Sequence, residues 1–262
     1  MQLSLADSHC HLDRVDLSQF ENSFVSMLDH ARAQCVAHML CVSISMQSYP
    51  AMRRLVEPYH DIAVSVGQHP LEDGEEPASV AQLLRLADDE RVVAIGETGL
   101  DYHYGRDRVQ QQESFRRHLQ AAQQAKKPVI VHTREASKDT LRILREMEAE
   151  KIGGVMHCFA EDMAVAEQAL AMNFYVSFSG IVTFRNADAL RAVAREIPSA
   201  RLLIETDSPY LAPVPCRGKQ NHPGNLHYVA ECLAAVRGCS LARLAEQTTS
   251  NYFTLFFQQR TP

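Results

Sequence analysis

No run of apolar residues in this 262-residue sequence reaches the length of a membrane span, which takes about 20 consecutive apolar residues. A transmembrane protein is therefore not expected. The first residues, Met1-Gln2-Leu3-Ser4-Leu5, contain neither a basic segment nor a long apolar one. No signal peptide is expected, and the expected location is cytoplasmic. Positive charge is not in surplus: 26 Lys and Arg against 32 Asp and Glu leave a formal net charge of -6 and a pI near 6.0. That balance argues against a broadly basic nucleic-acid surface, although it allows a local basic rim. The seven cysteines lack paired spacing, so a disulfide framework is not expected and a reducing compartment is. Low-complexity segments, strong internal repeats and linker-like stretches are also missing. Residues 1–262 are therefore read as one domain, with nothing that calls for an obligate protein partner. Trp is absent as well, and this excludes nothing.

What is present is 46% hydrophobic residues, arranged as short apolar runs alternating with longer amphipathic ones. This is the signature of βα units around a parallel sheet. Strands are expected up to about Asp7 and at 36–42, 62–66, 92–95, 128–131, 153–156, 175–178 and 202–204. Helices are expected at 18–34, 47–59, 78–87, 108–125, 136–148, 162–171, 187–197 and 225–237, and Asp73–Pro77 reads as an acidic loop. A further helix, capped by Ser240, runs to about Phe256. Eight strands in unbroken alternation with helices predict an α/β fold, a single (β/α)8 TIM barrel with an extra C-terminal helix. Its active site belongs at the C-terminal ends of the strands.

Those ends carry His9 and His11, His69, Glu97, His132, His157 and Asp207. Residues two apart on a strand share a face, so His9 and His11 project together while Cys10 points away. Barrel closure would bring all these groups to one mouth. Four histidines, a glutamate and an aspartate exceed the three protein ligands of one catalytic zinc, and two ions need a bridging group. Glu97 is the natural bridge. The expected allocation places His9, His11, Glu97 and Asp207 on one divalent ion and Glu97, His132 and His157 on the other. A water between them would lose its proton near neutral pH and attack, with Asp207 as general base. This ligand set suits Mg, Zn or Mn. Glu205, two residues before Asp207, is expected to orient a ligand histidine. Asp101 is expected to orient the Glu97 loop or to cap the helix or turn after it. His69 is read as a substrate contact or a loop residue. Asp13 is read as structural or as a residue supporting the ligands from behind, and His103, His222 and His227 as surface or rim residues. Cys10 and Cys158 are read as packing residues. Arg134, Arg185, Arg217 and Lys219 fall in mouth loops, where a basic rim could hold phosphates.

Taken jointly, Asp7-Ser8-His9-Cys10-His11-Leu12-Asp13, Gly67-Gln68-His69-Pro70, Gly96-Glu97-Thr98-Gly99-Leu100-Asp101, His132, His157-Cys158-Phe159, Glu205-Thr206-Asp207-Ser208-Pro209-Tyr210-Leu211 and Arg217-Gly218-Lys219-Gln220-Asn221 resemble the TatD family of metal-dependent deoxyribonucleases. The resemblance spans essentially the whole chain. It implies a TIM barrel with a two-metal site, and 3′→5′ exonucleolytic hydrolysis of DNA phosphodiesters, with single strands or 3′ ends as substrate. The chain departs from the family pattern at Ala160-Glu161-Asp162, where small Ser/Thr-Gly residues are usual, and at His222, where a Glu is frequent. The competing reading is a metal-dependent hydrolase of a small amide, lactone or other ester. Barrels of that kind often bridge their ions with a carboxylated lysine on the fourth strand, a place that Glu97 takes here.

Overall fold

A computed structural model of the chain describes residues 3–72, 76–104 and 107–257. Eight strands, β1 (Leu5–Cys10), β2 (Val36–Cys41), β3 (Ile62–Val66), β4 (Val92–Asp101), β5 (Val129–Arg134), β6 (Gly154–Met156), β7 (Phe174–Phe178) and β8 (Leu202–Ile204), follow one another in sequence order in a single sheet. Every neighbouring pair is parallel. Strands of a parallel barrel are covered on both faces and so read as continuous apolar runs. β3 and β7 are buried along their whole length, as that requires.

Nine helices among the described residues accompany the strands: α1 (Phe24–Ala33), α2 (Tyr49–Leu55), α3 (Val80–Ala87), α4 (Arg108–Ala125), α5 (Ser137–Glu146), α6 (Met163–Ala171), α7 (Asp188–Glu196), α8 (Leu226–Arg237) and α9 (Leu241–Phe257). Local chemistry sets several of their starts. Asp107 and Asp162 accept the N–H groups of Gln110 and Val165, and Ser79 with Gln82 forms a capping box, each satisfying donors left open in a first helical turn.

β8 meets β1 without a long ladder, and the seam is fastened mostly by side chains. Asp7, fully buried, accepts the Thr206 N–H at 2.9 Å and the Thr206 hydroxyl at 2.5 Å. Ser8 donates to the Ile204 carbonyl at 3.0 Å, and the Asp207 N–H reaches the His9 carbonyl at 2.9 Å. Thr206 and Asp207 are thereby locked against β1.

The barrel interior holds Ala6, Leu40, Val42, Ala63, Ile130, Val155, Tyr175 and Leu203, and this cluster is completed by Tyr252, Leu255 and Phe256 of α9. The Asn251 amide donates to the carbonyls of Ser199 and Leu202, and the Thr249 hydroxyl donates to Ser4. α9 therefore covers the N-terminal end of the barrel. Full burial of each large side chain stabilises the fold by about 2–3 kcal/mol. The opposite, C-terminal end is left open for the polar strand ends.

Some boundaries differ from those expected. β1 continues through His9 to Cys10, and β4 continues through Glu97 to Asp101, with a register shift against β5 between Ile95 and Thr98. A bulge of this kind re-aims a side chain beside a site. The expected helix at 18–34 is divided into a 3-10 turn, Leu17–Phe20, and α1, because Glu21 and Asn22 adopt left-handed backbone. α2 is shorter than 47–59. Of the loop expected at Asp73–Pro77, residues 73–75 lie outside the described residues. No described helix is long and apolar enough to cross a membrane.

Candidate metal centre

Glu97 is the hub of the open end. Its side chain is 3% exposed, and its two carboxylate oxygens face different histidines. Oε1 lies 2.7 Å from His157 Nε2, 3.2 Å from His132 Nδ1 and 3.5 Å from His69 Nε2. Oε2 lies 3.3 Å from His9 Nε2 and 3.7 Å from His11 Nε2. Asp207 Oδ1 closes the second group, 3.4 Å from His11 Nε2 and 3.8 Å from His9 Nε2. Thus six strand ends send side chains to one spot. Burial alone would push the Glu97 pKa up, but His157, His69, His9 and His132 hold it well below the usual carboxylate range.

Outer partners choose which imidazole nitrogen faces inward. His11 Nδ1 lies 3.0 Å from the Val42 carbonyl. That nitrogen donates, leaving the Nε2 lone pair for the centre. His132 is turned the other way, with Nε2 3.3 Å from Asp101 Oδ2 and Nδ1 directed at Glu97. Asp101 also accepts the N–H groups of His103 and Tyr104, so it both orients His132 and closes the turn after β4. Despite burial, contact with His132 holds Asp101 low, at about 2. Glu205 Oε1 lies 3.4 Å from His157 Nδ1 and accepts the Cys158 N–H, which places it behind His157. Outer partners of this type raise ligand basicity and fix ring orientation.

The donor set suits divalent cations. His9 Nδ1, both ring nitrogens of His157 and Glu205 Oε2 are buried with no aligned hydrogen-bond partner among the described residues. His157 Nε2 approaches Glu97 Oε1 to 2.7 Å without hydrogen-bond alignment, as two donors directed at a shared cation do. Two of the groups able to hold an ion are His9–His11–Asp207 and His69–Glu97–His132. His69 fits that second group poorly. Its Nδ1 accepts the Leu71 N–H at 3.1 Å, so in the neutral ring Nε2 bears the proton. Burial pushes its pKa down to about 3 and keeps it neutral. A protonated Nε2 is a hydrogen-bond donor, not a ligand.

The remaining residues singled out in the sequence lie farther from this focus. Arg134 and Arg217 are exposed, with guanidinium carbons 4.7 Å over the Tyr104 ring and 3.8 Å over the Phe184 ring. Arg185 and Lys219 are exposed too, as is Asp13. His103 pairs with Glu135 at the surface. His222 is half-buried against Phe20 and His30, and His227 Nδ1 lies 2.8 Å from the Gly224 carbonyl. Cys10 packs in the core. Cys158 lies beyond the end of β6 with left-handed backbone, φ 45°, and is partly buried with Sγ 3.2 Å from the Ser179 hydroxyl.

The chain matches the family model described as TatD related DNase over residues 6–257. It belongs to the TatD family. The metal-dependent hydrolase YcfH of Escherichia coli K12 is 50% identical over 253 residues, covering 96% of this chain and 95% of that protein. YabD of Bacillus subtilis, also named a metal-dependent hydrolase, is 39% identical over 96% of this chain and 98% of its own. The crystal structure of YjjV, a TatD homologue from Escherichia coli, superposes with a TM-score of 0.88 at 27% identity, covering 98% of both chains. This TatD-family chain is accordingly a metal-dependent hydrolase.

Three residues that support the site have no role legible in the sequence. Asn221 is fully buried, and its amide nitrogen donates to the Thr206 carbonyl at 2.9 Å and the Tyr210 carbonyl at 2.7 Å. Its oxygen accepts the His222 N–H and the Asn225 amide. It therefore brackets Asp207 from both sides along the chain. Asn221 ends the Arg217–Asn221 motif, but only its neighbours in space reveal its role. His118, on α4, accepts the Gln68 N–H at 3.0 Å and holds the segment beside His69. Thr206 anchors its strand end through Asp7. A histidine inside an amphipathic helix and a threonine inside a motif give no signal of this kind.

Proposed function

We propose that this TatD-family hydrolase is a deoxyribonuclease that cleaves DNA phosphodiester bonds, acting in the 3′→5′ exonuclease manner on single strands or 3′ ends. The observation that carries the reading is the division of Glu97, one oxygen toward His9 and His11 and the other toward His132 and His157. Two divalent ions, Mg, Zn or Mn, fit such a donor set. His9, His11, Glu97 and Asp207 would hold one, and Glu97, His132 and His157 the other. Bound ions of this type neutralise phosphoryl oxygens and bring the pKa of a water toward neutrality.

The protein's own groups do the rest. Asp207 is the most open carboxylate of the set, 9% exposed against 2% for Glu97. Burial raises its pKa, but His11, His9 and His157 outweigh that and keep it ionised. It can therefore take a proton from the attacking water. Asp101 holds His132 in its inward-facing orientation through a hydrogen bond, and Glu205 stands as the negative charge behind His157. His69 offers a neutral N–H beside Glu97, placed to donate to a substrate oxygen. Arg134 and Arg217 on the rim serve phosphates flanking the cleaved one.

The test is to reconstitute the purified protein separately with Mg, Mn and Zn and supply labelled single-stranded DNA beside a panel of amides, lactones and phosphotriesters. Stepwise shortening of the DNA from its 3′ end is expected. No DNA cleavage with any of the three metals overturns the proposal.

A further inference from the structure

Among the described residues, five large hydrophobic side chains are prominently exposed: Val25, Tyr104, Val109, Tyr210 and Val214. Two of them are aromatic, and both stand in loops at the open end of the barrel. Tyr104 follows β4 and is 61% exposed. Tyr210 follows Asp207 by three residues and is 49% exposed. Strands run in order around the barrel, so loops after β4 and after β8 lie on opposite sides of its mouth, with the carboxylate and imidazole cluster between them.

Each tyrosine is tied to the site. The Tyr210 ring stands edge to face with His11, centroids 6.1 Å apart. Arg134 lies over one side of the Tyr104 ring and is two residues past His132 on β5, so both β5 side chains share a face. Arg134 has no carboxylate partner among the described residues, and its neighbour Glu135 pairs with His103. Across the mouth, Arg217 lies over Phe184 and likewise makes no described ion pair. Unpaired guanidinium groups and exposed aromatic rings on the same two sides of the mouth match a ligand that alternates anionic and planar groups. Single-stranded nucleic acid is such a ligand, since every unpaired base presents a π-face and every link a phosphate.

Resting on the nuclease reading, we propose that Tyr104 and Tyr210 are stacking platforms for unpaired bases on either side of the reacting phosphate, with Arg134 and Arg217 meeting the flanking phosphates. A paired duplex cannot use these platforms without fraying, because its bases are already stacked. The site is thereby selective for unpaired strands through ring contacts, while the guanidinium groups attract any phosphate backbone.

The experiment measures fluorescence-anisotropy binding to the metal-depleted full-length protein. The probes are a labelled single-stranded oligodeoxynucleotide, an abasic oligomer of equal length and charge, and a blunt duplex. The wild type is expected to favour the base-bearing strand over both others. Tyr104→Ala and Tyr210→Ala should each weaken its binding about tenfold, with little effect on the abasic oligomer, while Tyr104→Phe and Tyr210→Phe retain affinity. Arg134→Gln and Arg217→Gln should weaken all probes and each reduce the salt slope by about 1. Equal wild-type affinity for base-bearing and abasic strands, no measurable binding, or wild-type affinity in both alanine variants overturns the platforms. A parallel cleavage assay with metals separates the two readings. Tyrosine-dependent binding without cleavage keeps the platforms and removes the nuclease, whereas cleavage without tyrosine-dependent binding does the reverse.

Discussion

Acid should weaken this protein in part through one histidine outside the candidate metal centre. His118 is wholly buried on α4, with Nδ1 2.8 Å from the Ser114 carbonyl and Nε2 accepting the Gln68 N–H at 3.0 Å. Protonation would put a second N–H on Nε2, facing the Gln68 N–H, in a place water does not reach. Burial accordingly lowers its pKa from 6.5 to about 4. The unfolded chain takes up this proton near pH 6.5 and the folded chain does not until about pH 4. Stability linked to His118 is therefore complete above pH 6.5 and is lost as pH falls toward 4. Between pH 7.5 and 4.5 the loss amounts to about 2.5 kcal/mol. The comparison is His118→Gln, which has hydrogen-bonding capacity but no titration. Urea unfolding of both metal-depleted proteins across this range gives the difference directly. The variant is expected to be the less stable protein at pH 7.5, and its deficit should shrink by about 2.5 kcal/mol at pH 4.5. A deficit that stays constant across the range would refute the assignment.

Other perturbations give separate outcomes. Glu97→Ala removes both oxygens that divide the histidines, so metal analysis should find clearly less than wild-type content, and wild-type content would end its role as bridge. His9→Ala should deplete the ion shared with Asp207 first, seen as loss of one equivalent in a metal titration before the other. Asn221→Ala leaves the buried Thr206 and Tyr210 carbonyls without their donor, at a cost of about 3 kcal/mol measurable by denaturant unfolding of metal-free protein, with weaker metal uptake through a displaced Asp207. Gly99→Ala should yield little folded protein by circular dichroism: φ is +137°, and a Cβ there would lie 2.0 Å from the His132 carbonyl oxygen.

The order of strands and helices was legible in the sequence because each βα unit is a local pattern. An apolar run packed on both faces and an amphipathic helix covering it are written in neighbouring residues. His9, His11, Glu97, His132, His157 and Asp207 were legible for the same reason, since each follows an apolar run and a parallel barrel places all such ends at one mouth. Tertiary structure alone decided how each group is used. Which nitrogen of His11 and His132 faces Glu97 depends on the Val42 carbonyl and on Asp101, and no spacing within either motif reports those partners. His69 shows the same limit: its donor character follows from the Leu71 N–H on its other nitrogen. Asn221, Thr206 and His118 act through hydrogen bonds between segments distant along the chain, which a linear pattern does not encode. β4 ran past its expected end because its bulge keeps pairing with β5, a match made between two strands and visible in neither alone. The residue types and their periodicity thus determined the barrel and the gathering of its histidine and carboxylate strand ends at one mouth. The folded neighbourhood determined protonation, orientation and support, because those properties belong to pairs of groups rather than to positions in a sequence.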